Sequence, residues 1–405
     1  MKHVWILNQY ALEPSGAGGT RHFSLAKQLP EHGWSASIIA ASFELNKGRQ
    51  RLESAECTRL EVFDGVPFLW LRTPVYEGNG AGRMVNMLTY ALRALLPSSL
   101  SKLPRPDVII GSSVHPFAAW AGALLASRYG VPFVFEVRDL WPQTLIDLGR
   151  LRADSLLAKG MLVLEHWLYR RASKIITLLP RAAEYIVPLG VPHEKIVWIP
   201  NGVDLDGFPV PAPSPNNDVF TLMYFGAHGQ TNDLANVLQA MAVLKRRGHA
   251  ARVRLRMIGD GPKKPSLMDL AQELGLDNVS FENPVSKRMI PTLASEADAF
   301  VFNLVDAPVF RFGISSNKLF DFLAGARPVL FCCNAANNPV NDAGCGITVL
   351  PGDPEALADA VVRLLDTPDD KRAAMGRAGR AFVELNNGFR SLGARLAQLL
   401  DSCVH

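Results

Sequence analysis

The chain has 405 residues, a formal net charge of +4 and five cysteines. A single hydrophobic core stops growing below this length, so two domains are expected, and the Lys and Arg residues form no dense run of the kind that binds nucleic acid. The odd cysteine count, which includes the adjacent Cys332 and Cys333, favours reduced thiols in a cytoplasmic compartment, and no Cys and His spacing resembles a zinc site.

Two apolar segments bear on targeting. Residues 1–7 lead straight into polar residues and predict a first strand rather than a signal peptide. The longest uncharged apolar run, near residues 116–126, is too short to span a bilayer. We therefore expect no membrane-spanning helix.

The first elements follow the order strand, glycine loop, helix, strand. Residues 4–7 and 36–40 are apolar strands, residues 15–20 contain three glycines, and a helix is predicted from residue 21 to residue 29. This order is typical of a doubly wound parallel sheet. The dinucleotide fingerprint, with an acidic residue after the second strand, is missing, so NAD binding is disfavoured.

A basic amphipathic helix is predicted over residues 83–96. One face carries Asn86, Thr89 and Arg93, the opposite face carries Met84, Met87, Leu88, Ala91 and Leu95, and the surrounding positive charges are Arg83, Arg93, Lys102 and Arg105. The commoner interpretation is a helix packed on its own sheet. The alternative is a membrane-surface element that meets a lipid-linked acceptor.

Polar side chains follow two buried strands of the first half. His115 comes after the strand at 107–111, and Arg138 and Asp139 come directly after the strand at 133–137. Ligands of open α/β sheets bind at this carboxyl end, so these three residues are candidates. A turn role for His115 and a loop-fixing Arg–Asp pair are the structural alternatives.

The second half repeats the doubly wound pattern. Residues 210–217, rich in Pro, Ser and Asn, predict a linker. Strands are predicted at 220–225, 254–258, 278–281 and 298–302, each followed by a polar or glycine-bearing loop. Helices are predicted over 354–365 and 370–400.

Residues 312–331 predict a loop that caps a helix, followed by a buried strand. Ser315, Ser316, Asn317 and Lys318 supply side-chain donors and one positive charge, and Asp321 lies one turn further along. A helix N-terminus with free backbone N–H groups suits an anion, and a diphosphate beside a diol would match donors and carboxylate together. An ordinary loop–helix–strand unit with a surface lysine is the alternative.

This stretch resembles the nucleotide-sugar-binding segment of the retaining glycosyltransferases of family 4. Asp321 stands where that family has a Glu that holds the ribose, while Gly313 falls where the family has a second Glu. The Pro-Asn-Gly-Val-Asp run at 200–204 is also similar to a family signature. The Gly-Ile-Ser-x-Asn-Lys-Leu-Phe run at 313–320 and the Glu-Val-Arg-Asp-Leu-Trp-Pro run at 136–142 resemble a subgroup of O-antigen and capsule N-acetylfucosamine transferases.

The resemblance implies the GT-B fold, in which two Rossmann-like doubly wound domains face each other across a cleft. We expect an acceptor-side domain over residues 1–209, a donor domain over 210–385, and a C-terminal helix, about residues 386–405, that packs back on the first domain. The implied activity is retaining, metal-independent transfer, without a cofactor, from a nucleotide diphosphate sugar. The implied carrier is UDP, the sugar an N-acetylated hexosamine or 6-deoxyhexosamine, and the acceptor a lipid-linked saccharide at the inner face of the cytoplasmic membrane.

The resemblance also assigns site residues. The residues expected to take part in catalysis are His115, Arg138, Asp139 and Lys318. Those expected to contact the donor are Gly18, Gly19, Gly226, Gly229, Asn232, Gly259, Asp260, Gly261, Pro284, Val285, Gly313, Ile314, Ser315, Asn317, Lys318 and Asp321. Most of the family has Arg and Lys in the loop at 226–232, and since both are missing here, Lys318 is expected to be the main phosphate cation.

Two other functions stay open at this stage. A nucleotide-sugar epimerase of the same architecture would need acid and base carboxylates beside the sugar, whereas the basic helix suggests a large acceptor. A non-catalytic nucleotide-sugar-binding partner would keep the 312–331 stretch and would not need His115.

Overall fold

The computed structural model describes residues 1–14, 16, 19–44, 48–78, 80–113, 115–208 and 219–404. Two compact units make up the chain: Met1–Pro200 with Phe389–His405, and Asn201–Gly388. The units thus divide after Pro200 and after Gly388, whereas the sequence placed the divisions after residues 209 and 385. The predicted linker at 210–217 lies outside the described residues.

The first unit contains an eight-stranded sheet in the order β10-β9-β8-β7-β1-β2-β6-β5, in which only β5 runs antiparallel to its neighbour. Its strands, including a short β3–β4 hairpin, are β1 Lys2–Leu7, β2 Trp34–Ala41, β3 Phe43–Glu44, β4 Arg49–Gln50, β5 Thr58–Phe63, β6 Val66–Leu71, β7 Val108–Ser112, β8 Phe133–Val137, β9 Lys174–Thr177 and β10 Ile196–Trp198. Its helices are α1 Arg21–Gln28, α2 Ala81–Ala94, α3 Pro97–Leu100, α4 Pro116–Tyr129, α5 Gln143–Asp147, α6 Leu156–Arg171 and α7 Ala183–Ile186.

The second unit contains a six-stranded sheet, parallel throughout, in the order β13-β12-β11-β14-β15-β16. Its strands are β11 Phe220–Phe225, β12 Val253–Ile258, β13 Val279–Glu282, β14 Ala299–Asn303, β15 Val329–Cys332 and β16 Gly346–Val349. Its helices are α8 Leu234–Arg246, α9 Lys264–Glu273, α10 Ile290–Ser295, α11 Asn317–Ala324, α12 Pro339–Asp342, α13 Pro354–Leu365 and α14 Asp369–Asn386. The last helix of the chain, α15 Phe389–Asp401, belongs to the first unit.

The strand orders explain where ligands are expected. Parallel sheets are covered by helices on both faces, and accordingly β1 and β11 are almost wholly buried apolar runs. Numbered within its own unit, the second sheet has the order 3-2-1-4-5-6 of a Rossmann fold. The order reverses between β11 and β14 there, and between β1 and β7 in the first unit. These are the switch points of the two sheets, and ligands are expected at the carboxyl ends of the strands there. The predicted class, α/β with two doubly wound domains, is confirmed.

Several elements differ from the prediction. Strands β5 and β16 and the two-residue strands β3 and β4 were not predicted. The residues predicted to be helical over 370–400 form two helices, α14 and α15, and α15 lies within the C-terminal helix expected at about 386–405. Asn387 lies at the break, where its carbonyl accepts from the Val203 N–H at 3.0 Å and its Nδ2 donates to the Asn201 carbonyl at 3.1 Å.

Candidate functional site

A cluster around Lys318 lies at the carboxyl edge of the second sheet. Lys318 Nζ donates to the Tyr224 hydroxyl at 2.9 Å and to Asn232 Oδ1. The Tyr224 hydroxyl and Asn232 Nδ2 both donate to the Ala227 carbonyl, at 2.7 and 2.8 Å. The end of β11, the loop after it and the first turn of α11 therefore meet at one ammonium group. Three of the predicted residues, Gly226, Asn232 and Lys318, are brought together here.

The environment of Lys318 controls its charge. Loss of hydration lowers the pKa of Lys318 to about 7. The group is therefore partly neutral near pH 7, and an anion placed beside it would favour the charged form. Helix α11 begins one residue earlier, at Asn317, so its first N–H groups lack intrahelical partners and add positive partial charge.

The loop before α11 is less free than the sequence suggested. The Gly313 N–H donates to the Phe310 carbonyl at 2.9 Å, and the Ile314 N–H donates to Asn337 Oδ1 at 2.7 Å. Ser315 Oγ accepts from the Asn201 N–H at 2.8 Å. The N–H groups of Gly313 and Ile314 are therefore already used within the second unit, whereas the Ser315 hydroxyl, which accepts from Asn201, keeps its own proton to donate. Ser316 and Asn317 remain partly exposed.

Asp321 is buried and paired with a cation that the sequence interpretation missed. Lys287 Nζ donates to both carboxylate oxygens, at 2.5 Å to Oδ1. Burial raises the pKa of Asp321, and the charge of Lys287 opposes that rise. A ribose diol would have to share this carboxylate with Lys287. Lys287 lies two residues after Val285, which the resemblance assigned to base recognition. This closeness in sequence was the only feature that could have indicated Lys287 as a site residue.

The glycines of the two neighbouring loops are explained by loop packing. A Cβ on Gly259 would lie 1.9 Å from the Gly226 carbonyl oxygen, and one on Gly261 would lie 2.6 Å from the His228 carbonyl oxygen. All three glycines have positive φ, from 142° to 156°. Their backbone geometry thus requires glycine without a ligand, and donor contacts by these residues stay predictions.

The remaining donor-side residues surround this core. Gly229 lies within the loop after β11, and the exposed Asp260 accepts from the Gly261 N–H at 2.7 Å through Oδ1. Pro284 is exposed and Val285 is half-buried, directly after β13. The base contact by their backbone stays a prediction.

His115 lies at the switch point of the first sheet. Its side chain is buried, and Nε2 donates to Gln9 Oε1 at 2.6 Å. Gln9 Nε2 in turn donates to Asn86 Oδ1, and Asn86 Nδ2 to the Pro74 carbonyl at 2.5 Å. Burial, with a smaller effect of Arg83, lowers the pKa of His115 to about 3. The ring is therefore neutral, and its Nδ1, which has no partner among the described residues, can only accept.

Arg138 and Asp139 do not form a fixed pair. Asp139 is exposed, and Arg138 is half-buried with its backbone N–H donating to Ser113 Oγ at 3.2 Å. Gly19 has φ +68°, and a Cβ there would lie 2.7 Å from the Tyr10 carbonyl oxygen, which makes glycine a structural requirement. Gly18 lies outside the described residues.

A buried charged network that the sequence interpretation missed supports this edge. Glu136 Oε1 accepts from Arg21 Nε at 3.0 Å, and Oε2 accepts from His22 Nε2 and Ser112 Oγ, at 2.5 and 2.6 Å. Burial alone would raise the pKa of Glu136, but His22 and Arg21 hold it well below its usual range. The Arg21 guanidinium also donates to the Ile199 carbonyl at 2.8 Å, so the network fixes the end of the first domain.

The faces predicted for α2 are wrong at Asn86 and Leu88, while Ala91 is buried on the predicted apolar face. Asn86 is buried because Gln9 and Pro74 satisfy its amide, whereas Leu88 is 40% exposed. An exposed apolar stripe follows the helix and its end: Val85, Leu88, Leu92 and Leu96. We call this set the α2 stripe. Arg93 is half-buried, and Lys102 and Arg105 are exposed nearby in sequence.

Across the described part of the chain, no group of three or more His, Cys, Asp or Glu side chains is arranged to hold a metal ion. In that same part, every helix is too short or too polar to cross a bilayer.

The chain is similar in sequence to known glycosyltransferases. A family model described as "Glycosyl transferase 4-like domain" matches residues 16–202, and one described as "Glycosyl transferases group 1" matches residues 219–367. The chain is 25% identical over 280 residues to the probable glycosyltransferase WbjE of Pseudomonas aeruginosa, covering 66% of this chain and 67% of the relative. It is 22% identical over 262 residues to the putative colanic acid biosynthesis glycosyl transferase WcaI of Escherichia coli, covering 61% of this chain and 63% of the relative.

Solved structures share the fold at low sequence identity. Anabaena HepE, solved in complex with UDP and glucose, superposes with a TM-score of 0.69 and 16% identity. The match covers 99% of this chain and 100% of that one.

Proposed function

Because this chain is a glycosyltransferase of the GT-B fold, built from a 4-like domain and a group 1 domain, we propose that it performs retaining transfer of family 4 type. The donor is a nucleotide diphosphate sugar, and the reaction uses no metal ion. The acceptor is a lipid-linked saccharide of surface polysaccharide synthesis, O-antigen or capsule. The name of the relative WcaI, which refers to colanic acid biosynthesis, supports that setting.

The cluster around Lys318 is the observation that carries this proposal. Breaking the bond between sugar and diphosphate leaves growing negative charge on the leaving group. Lys318, held by Tyr224 and Asn232 beside the first turn of α11, is a preorganised positive group at the switch point of the second sheet. Such groups stabilise transition-state charge without reorganising during the reaction. In this role, Lys318 takes the part that a bound metal ion plays in other enzymes.

The donor's other parts are assigned around that cluster. Asp321, with Lys287 beside it, binds the ribose, and the backbone at Pro284 and Val285 contacts the base. UDP is the proposed carrier, which the UDP complex of the structural relative HepE supports. The resemblance of residues 313–320 to N-acetylfucosamine transferases supports an N-acetylated hexosamine or 6-deoxyhexosamine as the sugar.

Two groups of the first domain are proposed to act on the sugar or the acceptor. His115, neutral and with Nδ1 free to accept, receives a hydrogen bond from a hydroxyl of the transferred sugar. Arg138 and Asp139 lie beside the reacting sugar or the acceptor. Glu136 is excluded as a nucleophile of a double displacement, because Arg21, His22 and Ser112 already occupy both carboxylate oxygens.

The α2 stripe supports a peripheral position on the inner face of the cytoplasmic membrane. Its four apolar side chains are 40–58% exposed on one helix face, which is unusual unless something covers them. The exposed Lys102 and Arg105 are proposed to meet anionic head groups, each contributing up to about 1 kcal/mol near such a surface.

Vesicle sedimentation tests this position. We expect binding to vesicles with anionic lipid, weakened by salt and by Leu92→Asp. Leu385→Asp, which changes a leucine that is 75% exposed on α14, is the matched control. If both variants bind like the original protein, the α2 stripe does not contact lipid.

Thermal unfolding with UDP, GDP and ADP tests the donor class. A nucleotide at about a hundred times its dissociation constant adds roughly 2.7 kcal/mol to the free energy of unfolding. We expect UDP to raise the unfolding temperature most. A protein that none of the three nucleotides stabilises would contradict the proposal.

A further inference from the structure

His228 is a buried polar side chain of the second unit. It follows β11 by three residues, and its exposed fraction is 0%. Neither ring nitrogen has a hydrogen-bond partner among the described residues. Buried polar groups almost always have partners, so a ring with two unpartnered nitrogens points to a ligand that the structure does not contain.

The loop holds this ring in a fixed place. The His228 N–H donates to the Asp260 carbonyl at 2.8 Å, and its carbonyl accepts from the Lys263 N–H at 3.0 Å. The ring packs between Tyr224 and Phe281, with centroid distances of 5.9 and 6.3 Å. His228 is thus as firmly positioned as a residue of the core.

His228 and Lys318 are connected through the same two side chains. Tyr224 and Asn232 bind Lys318 Nζ, and they also bind the carbonyl of Ala227, whose peptide group leads into His228. Gly226 precedes Ala227, and Gly229 follows His228. A ligand that approaches this loop therefore meets backbone at both glycines.

The charged groups around the ring indicate the kind of ligand. Burial, Lys264 and Lys318 lower the pKa of His228 to about 4, and Asp260 opposes them. The ring is therefore neutral near pH 7, with one nitrogen that donates and one that accepts. Two lysines beside a hydrogen-bond donor suit an anion, and phosphate oxygens accept without donating.

We propose that His228 donates a hydrogen bond from its ring to the diphosphate of the donor, next to Lys318. This assignment rests on the proposed function, because it requires that the second domain binds a nucleotide diphosphate. It adds a neutral donor to a site in which the sequence indicated only one cation.

Calorimetric titration with UDP, uridine and inorganic pyrophosphate tests the assignment. His228→Ala should weaken UDP and pyrophosphate binding about 10- to 150-fold, the loss expected for a hydrogen bond to a charged group, and should leave uridine binding unchanged. His249→Ala removes an imidazole before β12, at the opposite edge of the sheet, and should change none of the three affinities.

A second variant separates binding from folding. His228→Phe keeps an aromatic ring without polar atoms, so the free protein should unfold at the same or a higher temperature while UDP affinity falls as in His228→Ala. If the original protein binds UDP and both His228 variants bind it equally well, the assignment is overturned. If the His228 variants lost as much affinity for uridine as for UDP, the assignment would also be overturned, because the ring would then lie at the nucleoside. If the original protein binds no UDP, the proposed function itself fails.

Discussion

The pH dependence of donor binding tests the role of Lys318. The perturbation is Lys318→Met, which keeps an unbranched side chain and removes the charge. If the ammonium form binds the diphosphate, protonation and binding are linked. Binding is then strongest below the pKa of the free protein, which is about 7, and it weakens as the pH rises through that value.

The magnitude follows from the pKa. With a value of about 7, roughly 0.9 of the Lys318 side chains are charged at pH 6 and roughly 0.1 at pH 8. The affinity of the original protein should therefore fall about tenfold over this range, provided that the bound diphosphate holds the pKa above 8. At pH 6, Lys318→Met should reduce the free energy of UDP binding by about 1.5–3 kcal/mol, and at pH 8 this loss should be about 1.4 kcal/mol smaller.

The assay is calorimetric titration with UDP at pH 6, 7 and 8. The terminal phosphate of UDP titrates near pH 6, but the ratio of the two proteins' affinities cancels that effect. Lys245→Met, at the far end of α8 where Lys245 donates to the Gly275 carbonyl, is the control and should follow the original protein. A constant ratio between the original protein and Lys318→Met from pH 6 to pH 8 would refute the reasoning.

Three further changes have expected outcomes. Asp321→Asn should weaken the binding of UDP and of uridine by the same factor, about 10- to 150-fold in calorimetry, because the contact is to the ribose. Unchanged affinities would leave Asp321 as a partner of Lys287 alone. His115→Ala should lower the turnover number and leave UDP affinity within about twofold, so an equal loss of both would indicate a disturbed fold. Arg21→Met should lower the free energy of unfolding in urea by about 3–5 kcal/mol, since the buried Glu136 would lose the cation that pairs with its Oε1, and a loss below about 1 kcal/mol would contradict that.

Local patterns in the sequence were enough to predict the class of fold. Apolar runs such as 220–225, followed by glycine loops, mark buried parallel strands, and the second strand order matches the Rossmann pattern. Lys318 and the start of its helix could also be located, because a loop with donors before a helix is a local feature, whereas Tyr224 was not predicted as a site residue. The GT-B fold class is confirmed by the family models and by the superposition on HepE.

Partners that are distant in sequence could not be predicted. Lys287 and Asp321 are 34 positions apart, and Gln9 and His115 are 106 apart. No local pattern joins such pairs, since the fold alone brings them together. Asn86 shows the consequence: helical periodicity grouped it with Thr89 and Arg93 on a polar face, but amide partners from other loops bury it.

A crystal structure of the protein with UDP would test the central claim most directly. We predict that the diphosphate lies over the first turn of α11, within hydrogen-bond distance of Lys318 Nζ, with the ribose at Asp321. UDP bound at the carboxyl edge of the first sheet, near His115, with the Lys318 cluster unchanged, would contradict the assignment of the donor to the second domain.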